Sequence, residues 1–145
     1  MHRNKHGISR ISVSSGILYQ VAEGSWNLQT AQEFSDAIKI LVLNELPPQW
    51  VLFNDLRKWD FCPPEVWEYF SHLYTWLAEH GMVAYGVVCP TKMLKHFVTD
   101  MDKKAGTPVL YGQFYSDNYD DALEWCQSRL KEATNQRQPH HSKFK

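Results

Sequence analysis

Two runs of mostly apolar residues, each about a strand long, constrain this chain most: Trp50-Val51-Leu52-Phe53-Asn54-Asp55-Leu56 and Met82-Val83-Ala84-Tyr85-Gly86-Val87-Val88-Cys89. Continuous apolarity over so short a span marks a strand buried on both faces, the condition of a parallel sheet with helices packed over it. Parallel neighbours need a crossover, and a helical pattern between the runs supplies one. It opens at Pro63-Pro64-Glu65, where proline suits a first helical turn, and reaches His80, with Gly81 as its stop.

The flanking segments repeat the alternation. Ile8, Ile11 and Val13 make a short strand pattern, stopped by Ser14-Ser15-Gly16, and Ile17-Leu18-Tyr19-Gln20-Val21-Ala22 follows at once, so an antiparallel hairpin is expected. Asn27, or Thr30 with Glu33, caps a helix running to about Asn44. A loop is expected from Arg57 to Cys62. Pro90-Thr91 opens a third helix that ends near Gly106. Val109 to Tyr115 reads as a last strand interrupted by Gly112, and Ser116 or Asp117 caps a fourth helix. The predicted class is α/β: a mostly parallel central sheet, a short antiparallel N-terminal strand and about four helices. The expected layout is a flexible 1–7, one domain over 8–134 and a disordered polar tail over 135–145.

Fifteen basic residues against sixteen acidic ones give a formal net charge of −1, which offers no overall field for nucleic acid. No apolar run approaches the roughly 20 residues that span a bilayer. The opening Met1-His2-Arg3-Asn4-Lys5-His6 has no apolar stretch behind it, unlike a secretory signal. Cys62, Cys89 and Cys126 are too scattered for a disulfide framework or a zinc pair. The expectation is a cytoplasmic protein with no cofactor, no nucleic-acid partner and no integral membrane association.

The order of elements and its residues resemble the SpoIIAA-like family, within the STAS superfamily of anti-sigma-factor-antagonist domains. Gly16-Ile17-Leu18, Gly24-Ser25-Trp26-Asn27, Trp50 to Arg57, Phe114-Tyr115-Ser116 and Ala122-Leu123-Glu124-Trp125 carry the resemblance, which covers about Ile8 to Leu130. It implies a STAS-like fold and a binding or regulatory module, not a catalyst. Antagonists of this type carry a D-S-S-G-like motif after the third strand, whose serine is phosphorylated to switch partner binding. The matching stretch here is Asp60-Phe61-Cys62-Pro63-Pro64-Glu65, without serine or threonine, so that switch does not carry over.

Chemistry has little support from motifs. Gly16, Gly24, Gly81 and Gly86 are scattered singly, with no phosphate loop and no nucleophile elbow. His96 and Asp100 stand four apart, a spacing open to a metal, but no third ligand is identifiable and no metal is expected. Lys92, Lys95, His96, Lys103 and Lys104 form a local positive cluster, diluted by Asp100 and Asp102 and read as a solvated face. Cys62 precedes a helix start, which favours a thiolate, yet no histidine adjoins it, and an ordinary thiol is expected.

The second helix carries more aromatic surface than a core stripe requires. Val66, Phe70, Leu73 and Leu77 form a narrow stripe, flanked by Trp67 and Tyr74 on one side and Tyr69 and Trp76 on the other. The apolar arc spans about 180°, against the roughly 100° of a surface helix. Loops with Trp59 and Phe61 are one cover for the excess, and a partner surface or a ligand is the other. The expected interaction surface is therefore Trp59, Trp67, Tyr74 and Trp76, with an unknown protein or a second copy of the chain as partner. Asp55, Arg57 and Cys62 lie where open sheets place ligands, beyond strand ends, although Asp55 and Arg57 equally suit a structural ion pair. The alternative function is a small carrier or sensor of an apolar molecule such as a lipid.

Overall fold

The computed structural model describes residues 7–60 and 62–137. The chain runs β1 (Ile8–Ser14), β2 (Ile17–Gly24), α1 (Leu28–Glu45), β3 (Trp50–Trp59), α2 (Pro64–Glu79), β4 (Met82–Val88), α3 (Lys92–Ala105), β5 (Gln113–Ser116) and α4 (Tyr119–Arg137). The five strands form one sheet in the order β1-β2-β3-β4-β5. β1 is antiparallel to β2, with Ser14 opposite Ile17, and the remaining pairs are parallel. Ser15 and Gly16 both have positive φ, 52° and 85°, the twist that a two-residue hairpin turn needs.

Each crossover steps to the next strand in the same direction. Right-handed connections therefore bring α1, α2 and α3 to one face of the sheet, and α4, which follows the last strand, covers the other. The strands' two-residue period divides the core accordingly. Leu18, Trp50, Leu52, Tyr85 and Val87 pack with Phe34, Ile38, Val66, Leu73 and Leu77. Ile17, Val51, Phe53, Ala84 and Val88 pack with Ala122, Cys126 and Ala133. On that second face a Cβ at Gly86 would lie 2.6 Å from Cys126 Sγ, so glycine is what lets α4 approach β4.

Local chemistry sets the ends. Asn27 Oδ1 accepts from Thr30 N at 2.9 Å and caps α1. Thr91 Oγ1 accepts from Leu94 N at 3.1 Å, and Gly106 closes α3 in the left-handed region. Four expected boundaries move. β3 continues to Trp59, because parallel pairing resumes past a register shift in β2 and joins Lys58 to Glu23 and Trp59 to Gly24; Arg57–Trp59 is strand, not loop. β5 shortens to Gln113–Ser116, because the segment from Val109 closes a turn in which Gly112 N donates to Val109 O. The α4 cap is Asn118, not Ser116 or Asp117: its Oδ1 accepts from Asp121 N at 2.9 Å, while Ser116 Oγ accepts from Asn118 N. α4 also runs to Arg137, past the expected domain end at residue 134. The rest of the expected tail, the first six residues and Phe61 lie outside the described residues. Among the described residues no helix is long and apolar enough to cross a membrane.

Candidate binding site

β3 places two polar residues on opposite faces of the sheet, and their environments differ. Asp55 faces α4. Its carboxylate accepts from Arg57 Nε at 3.0 Å, from Arg57 Nη2 at 2.8 Å and from the Arg57 backbone N at 3.0 Å. The guanidinium lies 4.4 Å over the Tyr119 ring, so the pair clamps the first turn of α4. The Asp55 hydrogen bond and charge raise the Arg57 pKa above its ordinary value. Cys62 is buried in the core of the opposite face. Burial, then the charge of Glu65, pushes its thiol up to about 12. The structure therefore does not bring Asp55, Arg57 and Cys62 into one pocket: the ion pair faces α4 and the thiol is interior on the opposite face.

Asn54 faces α2. Its Nδ2 donates to Tyr74 Oη at 3.1 Å, while its Oδ1 is buried without a partner. The Tyr74 ring meets Tyr85 edge-on at 5.1 Å, and the Tyr85 and Tyr115 hydroxyls stand 3.5 Å apart. Tyr115 Oη donates in turn to Asp102, an α3 carboxylate only 8% exposed. Burial raises Asp102 to about 6, against the lowering effect of the two tyrosine hydroxyls. Burial and the Asp102 charge raise the Tyr74 and Tyr115 hydroxyls above their ordinary range.

Beside this network lies an interior cavity of about 40 Å³ between the sheet and α1, α2 and α3. Its wall is aromatic: Trp26 packs on Phe34 at 5.4 Å and on Phe70 at 5.7 Å, and Trp59 meets Trp67 edge-on at 5.2 Å. Gln20, Asn54, Tyr74 and Asp102 also line it. Trp59 Nε1 is buried without a hydrogen-bond partner.

The four aromatics expected at a surface are divided among three environments. Trp59 is 6% exposed and interior. Tyr74 lines the cavity. Trp67 is half-buried and borders both the cavity and an open groove of about 690 Å³ between α2 and α3, beside Phe97 and Met101 and rimmed by Glu68, His72, Asp100 and Lys104. Trp76 stacks on His80 at 3.8 Å, with Lys39 Nζ 5.3 Å from its ring. The wide apolar arc of α2 is thus covered in large part by α1, α3 and the end of β3. Met93 at 70% and Phe97 at 47% are instead the exposed apolar residues of α3.

Gln20, Asn54 and Asp102 were not anticipated as site residues, yet each leaves a trace in the sequence. Gln20 and Asn54 interrupt apolar faces of period two, between Leu18 and Ala22 and between Leu52 and Leu56; Asp102 follows Val98 by one helical turn. The convergence of β2, β3 and α3 on one cavity has no such trace. Among the described residues no three His, Cys, Asp or Glu side chains gather as metal ligands do.

No protein-family model matches the chain, and no curated protein does. Solved structures do match. An anti-sigma factor antagonist from Mycobacterium paratuberculosis is 20% identical, with a TM-score of 0.57 over 83% of this chain and 94% of that one. An uncharacterized protein with a SpoIIAA-like fold from Shewanella loihica is 16% identical, with a TM-score of 0.63 over 87% and 98%. The chain has a SpoIIAA-like α/β fold.

Proposed function

We propose that this chain is a non-catalytic binding module of the STAS type, and that the side of the sheet covered by α1, α2 and α3 is its binding side. One contrast carries the reading: the open groove on that side is lined in part by the apolar Trp67, Phe97 and Met101, while the open depression on α4 is lined by Glu124, Gln127, Ser128, Lys131, Glu132 and Asn135, without an apolar side chain. Apolar residues rimmed by charge suit a protein partner or a second copy of the chain. The similar antagonist fold adds a precedent for regulation by binding. On the resemblance drawn from the sequence, the stretch that matches the phosphoacceptor motif of such antagonists is Asp60 to Glu65, which has no serine or threonine, so partner binding is proposed to run without that switch. The buried, high-pKa Cys62 at the same junction offers no nucleophile in its place.

Sedimentation of the wild type beside Trp67→Ala and Phe97→Asp tests the groove. For self-pairing, the wild type at ~100 μM, well above a micromolar Kd, sediments as a dimer and both variants as monomers. A monomeric wild type removes the chain itself as the partner. A dimer indifferent to both substitutions puts the interface elsewhere.

The interior cavity favours a second reading, the carrier or sensor of a small apolar molecule. Its aromatic wall suits an apolar guest, and at about 40 Å³ it takes water-sized groups, so a larger ligand enters only as α3 moves outward.

A further inference from the structure

We propose that α3 is a proton-controlled lid latched by Asp102: with a neutral carboxyl it stays docked on the sheet, and with an ionised one it moves outward at the α2–α3 groove. The proposal rests on the second reading above and names the regulation of entry for it. Where α1 buries Ala31, Phe34, Ser35, Ile38 and Val42, α3 buries Val98 and Asp102. One of the two anchors of this helix is therefore a carboxylic acid.

That acid has no cation to answer it. α3 packs on α2 and β5. The groups turned toward Asp102 are the hydroxyls of Tyr74 on α2, Tyr85 on β4 and Tyr115 on β5, with the buried Cys89 thiol beside them. Among the described residues no lysine, arginine or histidine pairs with Asp102; on the same helix Lys104 pairs with Asp100, and the charge of Lys95 acts on Cys89. Glu68 and His72 of α2 line the open groove instead. The tyrosine hydroxyls ease ionisation of Asp102 without cancelling its burial. Water solvates the charge fully, so the carboxyl ionises more readily once α3 has lifted. The sign follows. With a docked value of about 6 against ~3.9 in water, the docked state holds the proton more tightly, and rising pH favours the open state. The opening constant should grow about tenfold between pH 5 and pH 7. Trp67 and Met101 border both the interior cavity and the groove, so outward movement of α3 joins the two spaces.

The test is native-state hydrogen exchange of the full chain at pH 5 and pH 7, corrected for the intrinsic pH dependence of amide exchange. A 14-residue helix off its support is marginal in water, so lifting shows at its amides. The α3 amides are expected to exchange through a local opening, ahead of those of α1, with protection falling about tenfold from pH 5 to pH 7. Asp102→Asn should remove that fall, and His72→Gln should retain it. Should Asp102→Asn fail to melt cooperatively, Tyr115→Phe decides: without that donor the buried charge costs more, and the fall should exceed tenfold. The lid is overturned if α3 exchanges only together with α1, if its protection is equal at the two pH values, or if the fall survives Asp102→Asn or vanishes with His72→Gln. Titration with toluene, neutral at both pH values, tests the carrier reading separately. Binding about tenfold tighter at pH 7 than at pH 5 supports both. Opening of α3 with no toluene bound keeps the lid and ends the carrier; equal toluene binding at both pH values with unchanged α3 exchange does the reverse.

Discussion

At the scale of single residues, burial governs the titratable groups. Cys62, Cys89 and Cys126 are all buried, and burial pushes each thiol up to about 12. None should react with a thiol reagent at pH 8 in the native chain, and all three should react in urea. A native modification midpoint near or below the ordinary value of ~8.5 would contradict the packing around that residue. Asp102 shifts in the same direction, over a lower pH range. Its folded value of about 6 exceeds the ordinary carboxylate value of ~3.9, so between these pH values the native state binds more protons than the unfolded one. Stability therefore falls as pH rises from about 4 to about 6 and levels off above, by an amount on the order of 3 kcal/mol for two pKa units. Asp102→Asn keeps an acceptor for Tyr115 and removes the charge. It should be more stable than the wild type at pH 7, with the gain shrinking toward pH 4, as read by urea unfolding. An equal gain at both pH values would show that the buried charge is not the cause.

The same scale shows why the sequence places Trp59 at a surface and reads Tyr74 as surplus. Periodicity states which face of α2 is apolar; it does not state which neighbours reach that face. Trp59 was assigned to a loop, and only the extension of β3 by pairing with Glu23 and Gly24 carries it inside. Tyr74 reads as surplus until Asn54 is seen to donate to its hydroxyl.

At the scale of elements, the helices were legible because their caps are local: Asn27, Pro63-Pro64, Thr91 and Gly106 lie next to what they cap. β5 was less so, because a turn that consumes Val109 O competes with the strand pattern. α4 approaches β4 closely at Gly86. Gly86→Ala places a methyl group against Cys126 Sγ and should destabilise the fold by about 1–3 kcal/mol, the ordinary range for overpacking. The paired substitution Cys126→Ala should recover part of that loss in a denaturation series. Full additivity of the two would deny that they touch.

At the scale of the whole molecule, the α/β class and the parallel sheet follow from two buried apolar runs and the crossovers between them. The handedness of those crossovers then puts three helices on one face and α4 alone on the other. What the sequence could not state was where the aromatic surplus goes. Much of it surrounds an interior space on the three-helix side, and the exposed apolar residues there are Met93 and Phe97 of α3 and Leu28, Ile40 and Leu43 of α1. The central claim is that this side, and not the α4 side, binds. Nitrogen-15 chemical-shift mapping of the chain over a dilution series tests it most directly, because the tryptophan indole N–H signals report the two sides separately. The account predicts that the Trp67 indole signal, at the α2–α3 groove, shifts on dilution while that of Trp125, stacked on Phe114 against α4's side of the sheet, does not. Shifts at Trp125 with Trp67 unmoved would contradict it.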